Sequence, residues 1–448
     1  MSFLYDRLYG RLRFPRVVED LRDCPGVLRL RHIGMANVDF FAFPSFSAVT
    51  RYEHSLGVCY LSRIAAESLG LETKDKYELM IAALYHDVTT PPFAHATEEF
   101  LKDQFNFDHE RRFWELLTGR SPDVGRSHSQ VFEGRALKLP QYAKGTVFRK
   151  HRMDLFRIPR LIFGDRDDPH ANLISGDIDL DNIDNVVRAA AAMGILESHG
   201  ELAETLARSF VWTVDGKIGM SANAEPAVRE WMWLRSHLYD MIFCSVEDFA
   251  LQTMLKYCLR LLAESDKPDI ALSAEDWKLT ELEMINHMSM LPQCRQVLQR
   301  MHLKDLFPCL GLLWLSGTGA VSYIAAGANR RALETLGRER FKSTVVCNFY
   351  EDKRCRPLHR KLVFSDGGFA FSQEMSCEEG GLLGFFAAES ISAVVERNGQ
   401  KHLAPFRERA TEFLDDIVAE IPSHVSVHKV RLVTNDSYPH MELDQQVQ

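Results

Sequence analysis

The chain has 448 residues, 46% of them hydrophobic, and a formal net charge of −9, enough apolar material for a large core and for more than one domain. The acidic balance argues against generic coating of nucleic acid, whose phosphates call for a positive surface. No uninterrupted apolar run reaches the ~18 residues of a membrane span, and the nine cysteines form no CxxC pair, so a reduced, cytoplasmic protein without membrane contact is expected.

Residues 1–45 read as short strand-like and turn-like pieces, with a basic stretch at Leu28–Arg31 and an end at Phe43 and Pro44. From Tyr52 to Leu71 the apolar residues recur with a helical rhythm that Gly70 closes. His54 shares the face of Val58 and Leu61 on this helix and is expected to point inward. The next helix, about 75–87, is apolar nearly all round and so predicted to be buried. It carries His86 and Asp87 at its C-terminal end, where Thr89-Thr90-Pro91-Pro92 must break it. His95 then returns on a turn beside His86.

Further helices are predicted at 93–104, 108–118, 179–195, 200–210, 224–264, 274–289, 291–302 and 326–338, and another at 405–420. Residues 340–400 change character, with strand-like runs at 342–350, 361–364 and 391–395 between glycine and charged turns, and a last strand at 425–433. The segment 144–160 is locally basic and reads equally as a solvated loop or as a contact for a nucleotide or partner. The tail from 437 to 448 is expected to be disordered.

Two ionisable groups at the end of an all-apolar helix are costly to bury unless paired or metal-bound, so His86 and Asp87 are either a hydrogen-bonded pair or metal ligands. Imidazole with carboxylate suits a borderline divalent ion. Asp177, Asp179, Asp181 and Asp184 crowd one short stretch, where helix capping accounts for most of them and at most one or two can face a core.

The order Arg51-x-x-His54-Ser-Leu-Gly57, then His86-Asp87, then Pro92-Phe-x-His95, then Asp179-x-Asp181-x-x-Asp184 resembles the HD-domain phosphohydrolases. Within them it is most similar to the deoxynucleoside triphosphate triphosphohydrolases, which include bacterial dGTPases and the vertebrate enzyme with a sterile-alpha-motif domain. The resemblance runs from Tyr5 to about Phe307. It implies a mostly α protein with an HD-domain helical core and extension over 1–335, and the strand-like runs beyond add a small α+β region over 336–436 that lies outside the resemblance.

It further implies His54, His86, Asp87 and Asp181 as ligands of a divalent metal (Mn, Fe, Mg, Zn or Co), His95 as general acid oriented by Glu98, and His109 as another catalytic histidine. Arg51, Arg188, Arg235 and Asn185 fall among the substrate-binding positions, although for Arg51 and Arg235 a surface salt bridge is the alternative. Asp23 and Arg31 match positions of a regulatory nucleotide, and a homodimer or homotetramer is expected. Thr90 stands where a second histidine is common, Asn185 in place of a tyrosine under the sugar, and Ala189, Met35 and Asn182 in place of other substrate contacts.

The implied reaction is metal-dependent hydrolysis of (deoxy)nucleoside triphosphates to nucleoside and inorganic triphosphate. The altered sugar positions keep open a phosphohydrolase for a monophosphate, cyclic or modified nucleotide, and Thr90 keeps open a nucleotide sensor with little turnover.

Overall fold

Thr50 opens the helix on which the first part of the fold is built: its side chain accepts the Glu53 N–H while the Glu53 carboxylate takes the Thr50 N–H, a reciprocal cap that satisfies two otherwise free donors. The computed structural model describes residues 3–118, 128–131, 148–196, 200–243, 245–317, 319–352, 358–363, 369–373, 380–389, 403–435 and 438–443. It divides into two units, Met1–Leu238 with Leu262–Leu291 and Leu358–Glu374, and Tyr239–Leu261 with Pro292–Pro357 and Met375–Gln448. This division is interleaved along the chain, whereas the sequence places boundaries after residues 335 and 436.

In the first unit α1 (Arg51–Ser68) packs against α2 (Thr73–Tyr85), which is buried continuously from Glu78 to Tyr85 as its all-apolar sequence predicts. His86 caps the C-terminus of α2. The chain then turns through Pro91 and Pro92 and enters α3 (His95–Phe105) with Phe93 and Ala94 at φ 59° and 46°, backbone values that cost side-chain-bearing residues energy and concentrate at functional sites. Two groups, one buried and one half-buried, brace this turn. Arg29, fully buried, donates to the carbonyls of Val88, Thr90 and Leu279, and Glu281 accepts the N–H groups of Gly34 and Phe93. Next come α4 (His109–Thr118), α5 (Leu180–Ala192) and, later in the chain, α6 (Glu281–Met288).

The first unit also holds a four-stranded sheet in the order Phe210–Trp212, Ile218–Ser221, Leu358–Val363, Phe369–Gln373. The second holds a five-stranded antiparallel sheet ordered Tyr438–Leu443, Ser426–Asn435, Cys309–Ser316, Gly380–Ala387, Val345–Glu351, with Leu313, Phe341, Phe385 and Phe413 in its core. The mostly α class with a small α+β part is therefore as expected.

Three details differ. The predicted helix 224–264 is two, Glu225–Phe243 and Val246–Ala263, because the Ser245 hydroxyl takes the Asp248 N–H and starts a new helix. The central strand Cys309–Ser316 was not foreseen, and the tail expected to be disordered supplies the edge strand Tyr438–Leu443. The proposed strand 391–395 lies outside the described residues.

The basic segment 144–160 is absorbed in part by the fold. Arg157 is bonded to Asp75, Glu78, Asp168 and His170, and Arg160 to Asp165; residues 144–147 lie outside the described residues.

An N-terminal hairpin, Leu4–Asp6 with Gly10–Leu12, is joined to α5 through Arg188. That guanidinium is fully buried and donates to Asp184 on its own helix and to Asp6 on the hairpin, while the Tyr9 hydroxyl donates to Asp184 at 2.6 Å. Removing one partner of such a buried network leaves the others charged and dry. Arg188→Ala should lower unfolding free energy by about 3–5 kcal/mol, as measured by urea denaturation; a loss below ~1 kcal/mol would show that the network carries no such load.

Candidate metal centre

His54 lies in the first turn of α1 and is 1% exposed. Its Nδ1 faces Asp184 Oδ2 at 2.7 Å and its Nε2 faces Asp181 Oδ1 at 2.8 Å. His86 Nδ1 is taken up by the Ala83 carbonyl at 2.7 Å, which turns its Nε2 toward His54 Nε2 at 3.2 Å. Asp87 Oδ2 lies 3.9 Å from His54 Nε2 and 3.6 Å from His86 Nε2, and Asp181 Oδ1 lies 3.6 Å from His86 Nε2.

Two imidazole nitrogens pointing at one another cannot both be acceptors without a positive species between them. Their separation matches the roughly 3.0–3.4 Å expected of two ligands each at about 2.0–2.1 Å from a common ion. His54, His86 and Asp87 form a group that could hold a metal, and Asp181 completes the mouth of the cluster. Each imidazole has its other nitrogen tied to a carboxylate or carbonyl, the arrangement that fixes ring orientation at metal sites.

The electrostatics point the same way. Burial opposes a charge on His54, yet the bonds from Asp181 and Asp184 raise its pKa to about 10. Burial likewise opposes charge on His86, and Asp87 with Asp181 raises it regardless. Burial would lift the carboxyls, but Arg51 and the two imidazoles hold Asp87 well below the usual range, the imidazoles do the same for Asp181, and Arg188 with His54 holds Asp184 at about 2. The cluster is built around positive charge that protons or a divalent ion can supply.

Asp87 is held in place by Arg51 Nη1 at 2.7 Å and by the Thr90 hydroxyl at 2.9 Å. Thr90 thus steadies the carboxylate of a candidate ligand. The cluster opens onto a cavity of about 830 Å³ whose lining includes Arg51, Asp87, His95, Glu98, Lys102 and Asp181, a size suited to a small-molecule ligand. His95 stands on its rim, its side chain 68% exposed, with Nδ1 3.1 Å from Oε2 of the buried Glu98.

The structure therefore brings together Arg51, His54, His86, Asp87, Asp181, His95 and Glu98. It does not bring Arg188, Asn185, Ala189 or Arg235 into the lining of that cavity. Arg188 has no exposed surface and serves Asp184 and Asp6, so the reading of it as a substrate contact is replaced by a positioning role. Asn185 faces solvent, Ala189 is buried in the core, and neither lines the cavity. Arg235, half-buried on Glu225–Phe243, is also absent from the lining, while Asn182 lines it and bonds Asp179. Met35 is half-buried. Asp23 is paired with Arg22, and exposed Arg31 sits over the Tyr52 ring. The side chain of His109 lies outside the described residues.

Two contributors had signals that went unread. Asp184 was seen as one of four crowded carboxylates, and Gly57 as part of a motif. A Cβ on Gly57 would lie 2.1 Å from Asp184 Oδ1 and 2.4 Å from Arg188 Nη2, so only glycine lets the Asp184–Arg188 pair reach His54.

Comparison with known proteins agrees with this geometry. Residues 51–131 match the model of the HD domain family, a similarity to HD-domain proteins over that part of the chain. It is 22% identical to an uncharacterized protein of Methanocaldococcus jannaschii over 57% of this chain and 49% of that one. It is 31% identical to human deoxynucleoside triphosphate triphosphohydrolase SAMHD1 over 21% of this chain and 16% of that one. The fold is similar to the crystal structure of a phosphohydrolase from Bacteroides thetaiotaomicron, with a TM-score of 0.60 at 14% identity, over 87% of this chain and 99% of that one. The chain spans about half to three-fifths of the length of the curated relatives it matches over the longest stretches. No described helix is long and apolar enough to cross a membrane.

Two outcomes are expected here. Because His54 holds its proton through neutral pH, an ion binding at Nε2 must displace it, so affinity for Mn²⁺ should rise with pH by about tenfold per unit; a flat profile in a competition titration would contradict the ligand role of His54. Gly57→Ala, which displaces Asp184, should weaken metal binding by about 10–100-fold, the usual effect of losing a group that orients a ligand, and an unchanged dissociation constant would contradict it.

Proposed function

We propose that the chain is a divalent-metal-dependent phosphohydrolase that cleaves (deoxy)nucleoside triphosphates to nucleoside and inorganic triphosphate. The observation that carries this reading is the convergence of His54, His86, Asp87 and Asp181 at the wall of a cavity whose rim presents the His95–Glu98 pair. Bound there, a divalent ion supplies a Lewis acid and an acidified water for attack at phosphorus.

The rest of the chemistry belongs to side chains. Arg51 spans Asp87 and the cavity, where its planar donors suit a phosphate oxygen. Glu98 accepts from His95 Nδ1 and fixes the ring, and the exposed face of that imidazole delivers a proton to the departing 5′-oxygen. Lys102, bonded to Glu98 at 2.5 Å, adds positive charge to the same wall. Phe107 and Phe163 give the lining an apolar side suited to a sugar or base.

A phosphohydrolase for a different nucleotide is the second reading, favoured by Asn185 facing solvent where the related enzymes place a sugar platform. A regulatory nucleotide at Asp23 and Arg31, and a homodimer or homotetramer, belong to the first reading; an unchanged mass in solution with GTP or dNTPs would remove them.

Incubating the protein with Mn²⁺, Mg²⁺ or Co²⁺ and a panel of deoxy- and ribonucleotides should release inorganic triphosphate, identified by chromatography. Monophosphate or pyrophosphate products would select the second reading, and tight binding without product a sensor. Asp87→Ala should lose both metal and turnover, whereas His95→Ala should keep the metal and lose about 10²–10⁴ in kcat. Loss of metal in the His95 variant would move His95 into the ligand set.

A further inference from the structure

We infer that His128, Asp276 and His287 form a second divalent-metal site, separate in its residues from the HD cluster. One nitrogen or oxygen of each lies within 4.8 Å of the others. They come from three stretches of chain: the described segment 128–131, the turn Asp276–Lys278 and α6.

The key residue is His287, 4% exposed. Its Nε2 is 2.7 Å from the Ile270 carbonyl. A carbonyl can only accept, so Nε2 carries the proton, and in the neutral ring Nδ1 is left as a bare lone pair. Burial, with the neighbouring His128, lowers the His287 pKa against the pull of Asp276, which favours that neutral ring. Its Nδ1 is a buried atom with no hydrogen-bond partner among the described residues, and it faces Asp276 Oδ2 at 3.9 Å. A lone pair set against a carboxylate oxygen with nothing to share is an unfavourable arrangement that a cation between them relieves.

The other two donors converge on the same point. Asp276 is fully buried, and its carboxylate is held by the Ser273 N–H at 2.8 Å and the His128 N–H at 3.2 Å. His128 Nδ1 lies 2.9 Å from Asp276 Oδ1, and its ring is tilted by 41° against that of His287 with centroids 4.0 Å apart. Without a metal His128 donates to Asp276; binding an ion displaces that one proton and leaves three anionic or lone-pair donors around it. Ligand atoms about 3.3–3.6 Å apart are needed for tetrahedral bonds of ~2.0–2.2 Å, so the existing spacings require only small shifts.

Two imidazoles and one carboxylate select a transition ion such as Zn²⁺, Co²⁺ or Fe²⁺ over Mg²⁺ or Ca²⁺. The His128 side chain, a quarter exposed, leaves a fourth position for water. The ion acts as a clasp, because Glu283 of α6 already takes the Ser129 hydroxyl and the N–H groups of Gln130 and Val131, and the metal would lock the same segment from its other side.

The test is zinc content by elemental analysis of full-length protein, loaded with Zn²⁺ and dialysed, in three forms: unaltered, His287→Gln and His128→Ala. Each variant should lose about one zinc per chain relative to the unaltered protein, and on cobalt loading each should lose the same visible bands. Since neither residue belongs to the HD cluster, Mn²⁺ binding that depends on Asp87 should persist in both, which separates this proposal from the metal assignment at His54 and His86. His128 is partly exposed, so its variant is the safeguard against a folding failure of His287→Gln. A zinc count unchanged in both variants would overturn the site and leave His128 and Asp276 as a plain ion pair.

Discussion

The bond between the buried Asp184 carboxylate and His54 Nδ1 is the contact on which the metal centre depends. Asp184 has no exposed surface, and its charge is sustained by Arg188 and the Tyr9 hydroxyl. With Nδ1 committed, His54 can present only Nε2 to Asp181 and His86. The ring cannot rotate away without breaking a charge-assisted bond in a dry environment, which is costly. Orientation of the first candidate ligand is thus paid for far from the cavity, on the N-terminal hairpin and on α5.

The opposite wall is held by different means. His86 follows the last turn of a helix buried continuously from Glu78 to Tyr85, so its backbone position is fixed by the core of the unit. His95 is placed by a costly turn, with Phe93 and Ala94 at positive φ, and Arg29 and Glu281 tie that turn down. Burial lowers the Arg29 pKa to about 10 and raises that of Glu281 to about 7. The candidate ligands are held by buried contacts and His95, the proposed proton donor, sits at an exposed rim, which suits a site where substrate must enter and leave.

Much of this was legible in the sequence. The helical rhythm of 52–71 and the all-apolar run before His86 located α1 and α2, and the Pro91-Pro92 break located the return at His95. The ordered motifs carried the HD resemblance. What could not be read was the division of labour between Asp181 and Asp184, since both sit on one helix and only Tyr9, Asp6 and Arg188 decide which is buried. Asn185, read as a sugar contact by matched position, faces solvent because a position on a helix does not fix what surrounds it. The strand at 358–363 pairs with Ile218–Ser221, more than a hundred positions earlier, a nonlocal partnership that local patterns do not encode. His128, Asp276 and His287 were missed for the same reason: they share no motif and meet only in the folded chain.

The central claim is that the four side chains hold one ion. Anomalous diffraction from crystals of the full chain grown with Mn²⁺ tests it most directly. A single strong peak bounded by His54 Nε2, His86 Nε2, Asp87 and Asp181, with Asp184 still on His54 Nδ1, is the predicted result. A crystal with Mn²⁺ in the medium and no peak within that cluster, its two imidazoles still facing one another, would contradict the account.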